Sequence, residues 1–334
     1  MFPARLEHTH QGIAAVKKSV ETSDQIRSLL LDGTDYLSNI VTNYPGNTDW
    51  RIYDHCAALT RLYAIFESFV EGILADFLGT IPSLIRYSDL GDGFHKEHRD
   101  GVAHILQRIE TYRYRDLILS EIIKDYNLAL SGEDEYRILP QSLLIHDQNL
   151  SLHIVDRLFT RLGIKDVINW ITCHPQVKTF MNDVRGDQNT VESELKSFVQ
   201  YRNEAAHGVV NDVLSKEELL IHCDFIESLC QSMYERINHR VISRRLELDT
   251  AREIGHVTEE YRDNIIVALL KNTTVKIDDR LYFMSDSYCY SSAIVNLQVD
   301  DVDTNPVTVT DMREIGLKTA VKVKKKARII YCER

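Results

Sequence analysis

Arg202, Asn203 and His207 set a permanent cation, a neutral amide and an imidazole within about one and a half turns of a helix. An imidazole, with an unperturbed pKa of about 6.5, moves protons at neutral pH, and a guanidinium neutralises phosphate or transition-state charge. Asn203 and His207 stand four residues apart and share a face, so the amide can orient one ring nitrogen or bind an anion. Arg202 lies about 140° round from His207 at about 100° per residue. The two reach one atom only if the helix end unwinds or a second copy of the chain contributes.

The helix that must hold these groups takes its apolar positions from Leu195, Phe198, Val199 and Ala206. Asn189 with Glu192 is expected to cap its start, and Gly208 lets it stop. An arginine followed five residues later by a histidine also occurs at Arg5 to His10 and at Arg99 to His104. Context selects the third, because it closes an apolar-faced helix, carries Asn directly after the Arg, and precedes the capping box Ser215 to Glu218 of another long helix.

The stretch Glu194 to Gly208 resembles the motif of the HEPN superfamily, in which an Arg, a polar residue directly after it and a His close a helix. The resemblance implies a small helical domain, RNA cleavage without metal or cofactor, and a homodimer that brings two motifs into one cleft. His207 is then the general base and acid, Arg202 holds the phosphate, and Asn203 fixes the imidazole tautomer or the phosphate. The segment Arg61 to Leu74 resembles a helix of a HEPN subgroup that carries a Glu in an apolar setting, here Glu67. Glu67 is either a solvated side chain at the edge of that face or a carboxylate beside the histidine. The function implied is a toxin-like or antiviral endoribonuclease, with tRNA and rRNA as candidate substrates and a regulatory or antitoxin protein as a partner. The alternative is a non-catalytic HEPN scaffold, or a protein that binds RNA or the translation apparatus.

Composition bounds these readings. The chain has 334 residues, 44% hydrophobic and 27% charged, which is the balance of an ordinary globular protein with material for two domains. No apolar run approaches the roughly 20 residues of a membrane span, and the start, MFPARLEHTHQ, lacks the pattern of a signal peptide, so a cytoplasmic protein is expected. The six cysteines are scattered without a Cys-x-x-Cys pair, which suits reduced thiols and leaves no metal site to name. Net charge is −11, but residues 251–334 hold 13 basic and 13 acidic groups, so the acidic excess falls entirely before them. An acidic domain does not wrap duplex nucleic acid, and any RNA contact is local.

Taken in order, the periodicity predicts helices over residues 4 to about 43 and Trp50 to Ile81, and one long helix over His95 to Leu130. Within the last, Tyr112, Arg113, Tyr114 and Arg115 interleave rings and cations, half core and half rim. A loop follows over Ser131 to Asp147, then shorter helices, the motif helix, and a helix to about Leu246. Near residue 250 the period changes to short β-branched runs, five to seven strands in all, the last over Ala320 to Ile330. These runs resemble the barrel that forms the second domain of elongation factor Tu, with Asp278 where that family has Gly and with no phosphate-binding loop anywhere in the chain. The fold expected is α+β multidomain, an all-α helical bundle over 1–247 followed by a small β-barrel over 248–334. Lys322, Lys324, Lys326 and Arg328 alternate with apolar residues in the expected last strand. They are either an edge protected by lysines or a phosphate-facing ladder for RNA.

Overall fold

The computed structural model describes residues 3–31, 43–132, 136–186, 189–208 and 210–332. The expected positions Gly33, Leu37 and Ile40 lie outside them. The chain forms two compact units, one of Met1–Thr172 with Gln176–Tyr234, the other of Cys173–Pro175 with Glu235–Arg334.

The helical unit is built on α2, Asn47–Thr80, whose Leu59, Leu62, Phe66, Phe69, Ile73 and Phe77 recur at helical spacing and are buried. Truncating one such ring, Phe66 for example, costs roughly 3–5 kcal/mol. The first helix α1, Pro3–Leu31, buries Ile13, Val16 and Val20, and a Cβ on its Gly12 would sit 3.2 Å from Ile65 of α2. Close behind come α3, Asp92–Gln107, α4, Leu119–Ser131, the single turn α5, Pro140–Leu143, and α6, Leu152–Arg161. Gly101 of α3 faces α5 so closely that a Cβ would meet the Ser142 carbonyl oxygen at 1.7 Å. Only glycine permits that approach.

The single helix expected over His95 to Leu130 is therefore two helices. Between them a chain of turns runs through Thr111, whose amide and hydroxyl both bond the Arg108 carbonyl, at 2.9 and 2.7 Å. The turns send Tyr114 inward to 2% exposure and leave Tyr112 79% exposed. Burying that ring outweighs helical continuity. The expected loop over Ser131 to Asp147 likewise contains α5, opened by Pro140 at its first position.

Short helices α7, Val167–Cys173, and α8, Pro175–Phe180, lead to α9, Val191–His207, and α10, Lys216–Glu247. The boundary between the two units falls within α10. Among the described residues no helix is long and apolar enough to cross a membrane.

The second unit is a closed antiparallel barrel with strands in the order β4-β9-β1-β2-β8-β5, closed by β4 against β5. Those strands are β1, Ala251–Glu260, β2, Ile265–Leu270, β4, Arg280–Met284, β5, Cys289–Val299, β8, Arg313–Thr319, and β9, Arg328–Cys332. Strands β3, Thr273–Val275, and β7, Val307–Val309, pair with each other, and β6, Val302–Asp303, extends β5. Leu281, Phe283, Ile294, Leu297, Ile315, Leu317 and Ile329 fill its interior. Gly255 sits where β1 shifts register against β9, and a Cβ there would lie 2.0 Å from the Leu269 carbonyl oxygen. Asp278, at the glycine position of the resemblance, takes a left-handed φ of 69°, which Asp tolerates better than most residues.

The expected strand over Ala320 to Ile330 is shorter. Strand β9 begins at Arg328, and Lys326 turns to a φ of 70°, so Lys322, Lys324 and Lys326 lie before the strand rather than in it. The Val257 carbonyl accepts from Lys326 N, and Val257 N donates to the Ala327 carbonyl, both at 2.9 Å. That local pairing absorbs the backbone that a regular ladder would need.

Candidate functional site

Thr190, rather than the expected Asn189, caps the motif helix. Ser193 N donates to Thr190 Oγ1 at 3.1 Å, and Thr190 N donates to Ser193 Oγ at 2.9 Å. The extended backbone of Thr190 lets its hydroxyl reach the third helical residue, the geometry of a capping box. The buried stripe is Val191, Glu194, Leu195 and Phe198, while Ala206 is exposed. Phe198 packs 6.2 Å from the ring of Tyr63 in α2 and 5.6 Å from that of His222 in α10. Burial pushes the Glu194 carboxyl up in pKa, and Arg185 opposes the shift by donating Nε at 2.9 Å and Nη2 at 2.6 Å. Arg185 also donates Nη1 to Glu218 of α10 at 2.8 Å. The helix is thereby held on both sides, and it ends at Gly208 with a φ of 72°.

Arg202 points inward from this helix. Its Cζ stands 4.0 Å over the ring of Tyr63, a cation–π contact. Nη1 donates to Asn203 Oδ1 at 3.0 Å and to Asn149 Oδ1 at 3.1 Å, and Asn149 Nδ2 donates to the same Asn203 oxygen at 3.0 Å. Nε is buried without a hydrogen-bond partner among the described residues. The amide oxygen of Asn203 is thus engaged by Arg202 and Asn149 rather than aimed at His207.

Tyr63 connects this cluster to Glu67. Its hydroxyl accepts from Leu150 N at 2.9 Å and donates to Glu67 Oε1 at 3.2 Å. Burial raises the phenol to about 12, so it remains a donor. Glu67 is half-buried, between the solvated and the buried alternatives, and the imidazole whose protonation its charge favours is His146. His146 Nδ1 faces the Gln148 carbonyl at 3.0 Å and must donate to it, and Nε2 lies 2.9 Å from Glu71 Oε1. The Glu71 hydrogen bond, more than any other influence, raises the pKa of His146. Loop residues 146–150 are therefore tied to α2 through His146 and Leu150, and to α9 through Asn149.

His207 is the last residue of α9, exposed, and bonded to no other described residue. The structure brings Arg202, Asn203 and Glu67 into one connected network and leaves His207 outside it, on a rim open to solvent. Among the described residues no group of three His, Cys, Asp or Glu side chains is placed to hold a metal ion. In the barrel unit, Lys322, Lys324 and Lys326 are exposed without a carboxylate partner among the described residues. Arg328 pairs with Glu253 at 2.7 Å.

Sequence reasoning missed Tyr63, Glu71, His146 and Asn149. Tyr63 and Glu71 were within reach, since each stands four residues from Glu67 on one helical face. His146 and Asn149 carry no periodic signal, and only the long-range seating of their loop gives them partners.

A family model described as RiboL-PSP-HEPN matches residues 23–239. No curated protein gives a significant match to the chain.

Proposed function

Because this chain belongs to the RiboL-PSP-HEPN family over residues 23–239, we propose that it is an endoribonuclease that cleaves RNA without a metal ion. The observation that carries the reading is the division of labour along one helix end. Arg202 is anchored on Tyr63, Asn149 and Asn203, and His207 stands free and exposed beyond it. A fixed cation and an accessible imidazole are what a phosphorane-forming transfer needs.

In the proposed reaction His207 takes the proton of a 2′-hydroxyl, whose oxygen forms a bond to phosphorus while the bond from phosphorus to the 5′-oxygen breaks. The leaving oxygen takes a proton from a second imidazole, and Arg202 offsets the charge of the phosphorane. A homodimer supplies that second imidazole as the His207 of the other copy. The products are a 2′,3′-cyclic phosphate and a 5′-hydroxyl. In this reading the protein works in the cytoplasm on cellular RNA such as tRNA or rRNA, as a toxin or antiviral effector restrained by a regulatory protein. Lys322, Lys324 and Lys326 of the barrel unit add phosphate contacts.

The test is incubation of purified protein with total RNA in EDTA, with sequencing of the new ends. Cyclic or 3′-phosphate ends are expected, lost in His207→Ala and Arg202→Ala. Clean 3′-hydroxyl ends, or activity that returns only with added Mg²⁺, would overturn the mechanism.

A second reading is favoured by the internal engagement of Arg202, whose Nη1 is bound twice within the protein and whose Nε is buried. Here Arg202 only clamps the 146–150 loop, and the domain is a dimerisation scaffold. Wild-type protein that dimerises but leaves RNA intact, with Arg202→Ala losing stability alone, selects that reading.

A further inference from the structure

The proposed reaction leaves unused a cleft of 540 Å³ in the helical unit, walled by Glu67, Glu71, Arg5, Arg113 and Tyr114. That volume lies in the range of about 300–1,000 Å³ typical of small-ligand sites. Glu67 and Glu71 are one helical turn apart on α2, and each has one oxygen pinned by the protein. Oε1 of Glu67 receives the Tyr63 hydroxyl at 3.2 Å, and Oε1 of Glu71 meets His146 Nε2 at 2.9 Å. The Oε2 atom of each has no partner among the described residues. The side chain of Glu71 is 44% exposed, so a ligand can reach it.

The cations of the cleft are arranged differently. Arg5 is fixed, donating Nη2 to Asp76 at 2.9 Å and lying across Gly72, where a Cβ would come within 2.0 Å of Nη1. Arg113 is half exposed and only loosely paired, 3.6 Å from Asp147. Tyr114 also lines the cleft and is buried, and its hydroxyl has no hydrogen-bond partner among the described residues. A buried hydroxyl normally finds a partner. Next to Arg113, the exposed ring of Tyr112 is stacked by Arg115 at 4.1 Å, a surface on which a neighbouring base can lie.

A ligand that satisfies this cleft offers N–H donors to two carboxylates and an anion to Arg113. On the Watson–Crick edge of the unpaired RNA bases, only guanine presents donors on two neighbouring atoms, N1–H and the 2-amino group, with no acceptor between them. Adenine and cytosine place a ring-nitrogen acceptor beside their amine, and uracil flanks its N–H with two carbonyls, so each turns a lone pair toward a carboxylate. We propose that the cleft binds an unpaired guanine nucleotide of RNA, with Glu67 and Glu71 accepting from its Watson–Crick edge and Arg113 facing its phosphate. That RNA is the source of the nucleotide rests on the ribonuclease reading, whereas the binding itself is measurable without cleavage.

Calorimetric titration of the full chain with 5′-GMP, 5′-AMP, 5′-CMP and 5′-UMP tests the proposal. GMP should bind at least tenfold more tightly than the other three. Glu67→Gln and Glu71→Gln should each weaken GMP about tenfold with unchanged circular dichroism, and Arg113→Ala should weaken GMP more than guanosine. Equal affinity for all four nucleotides, no GMP binding at millimolar concentration, or GMP affinity unchanged in the Glu67→Gln/Glu71→Gln double variant overturns it. If GMP binds selectively while RNA stays intact, the ribonuclease reading alone fails. If RNA is cut but GMP does not bind, the cleft proposal alone fails.

Discussion

Two carboxylate–imidazole pairs, Glu71 with His146 and Glu235 with His174, span similar distances, 2.9 and 3.1 Å, in contrasting surroundings. In the helical unit Glu71 is 44% exposed and keeps one oxygen toward a cleft, while the side chain of His146 is 6% exposed. In the barrel unit both side chains of the second pair are 0% exposed, and Glu235 Oε2 also accepts from Cys289 N at 3.0 Å. Neither ring nitrogen of His174 attains hydrogen-bond alignment with Glu235. The sealed pair has no route for a ligand or for bulk water, so it acts on the fold around it. The open pair can be reached, and the same chemistry becomes usable. Access, not residue type, separates a strut from a site.

The largest expected effect breaks the sealed pair. Glu235→Ala removes the acceptor of the Cys289 amide and the carboxylate that lies beside buried His174, and should cost about 3–5 kcal/mol, read from urea unfolding. Glu71→Ala should cost less, about 1–2 kcal/mol, because only the His146 side of that pair is dry. Equal losses in the two variants would erase the distinction.

A pH series sharpens it. Glu71 raises His146 above its ordinary 6.5, so the stability gained from the pair is fully present below that unfolded value and is lost as pH rises through the higher folded one. The difference in melting temperature between wild type and Glu71→Gln should narrow as pH rises above the ordinary imidazole range. A gap that widens with pH would show that His146 is held neutral. The smallest expected change is that of His207→Ala, within about 0.5 kcal/mol, since the exposed ring is bonded to no other described residue. A larger loss in a denaturation curve would reveal a structural role for that ring.

Much of the fold was legible in the sequence because burial imposes a period. The apolar stripe of α2 and the change to β-branched alternation after residue 250 follow from which side chains must leave water, and both stand in the structure. Period says nothing about where a regular element must break. The turns at Arg108 to Leu117 arise because Tyr114 is buried, and the break before Arg328 arises because Lys326 pairs locally with Val257. The second depends on a strand distant in sequence.

The candidate site divides along the same line. Spacing alone put Arg202, Asn203 and His207 on one helix end, since their relation is local and a helix has one geometry. The same spacing sets Tyr63 and Glu71 on the face of Glu67 in α2, although only Glu67 was singled out from it. That Arg202 rests on Tyr63, that Asn149 rather than His207 takes the Asn203 amide, and that His146 meets Glu71 were decided by tertiary structure. Each of these contacts depends on which surfaces the packed core leaves facing one another, and no local pattern encodes the approach of a loop to a helix more than fifty residues away.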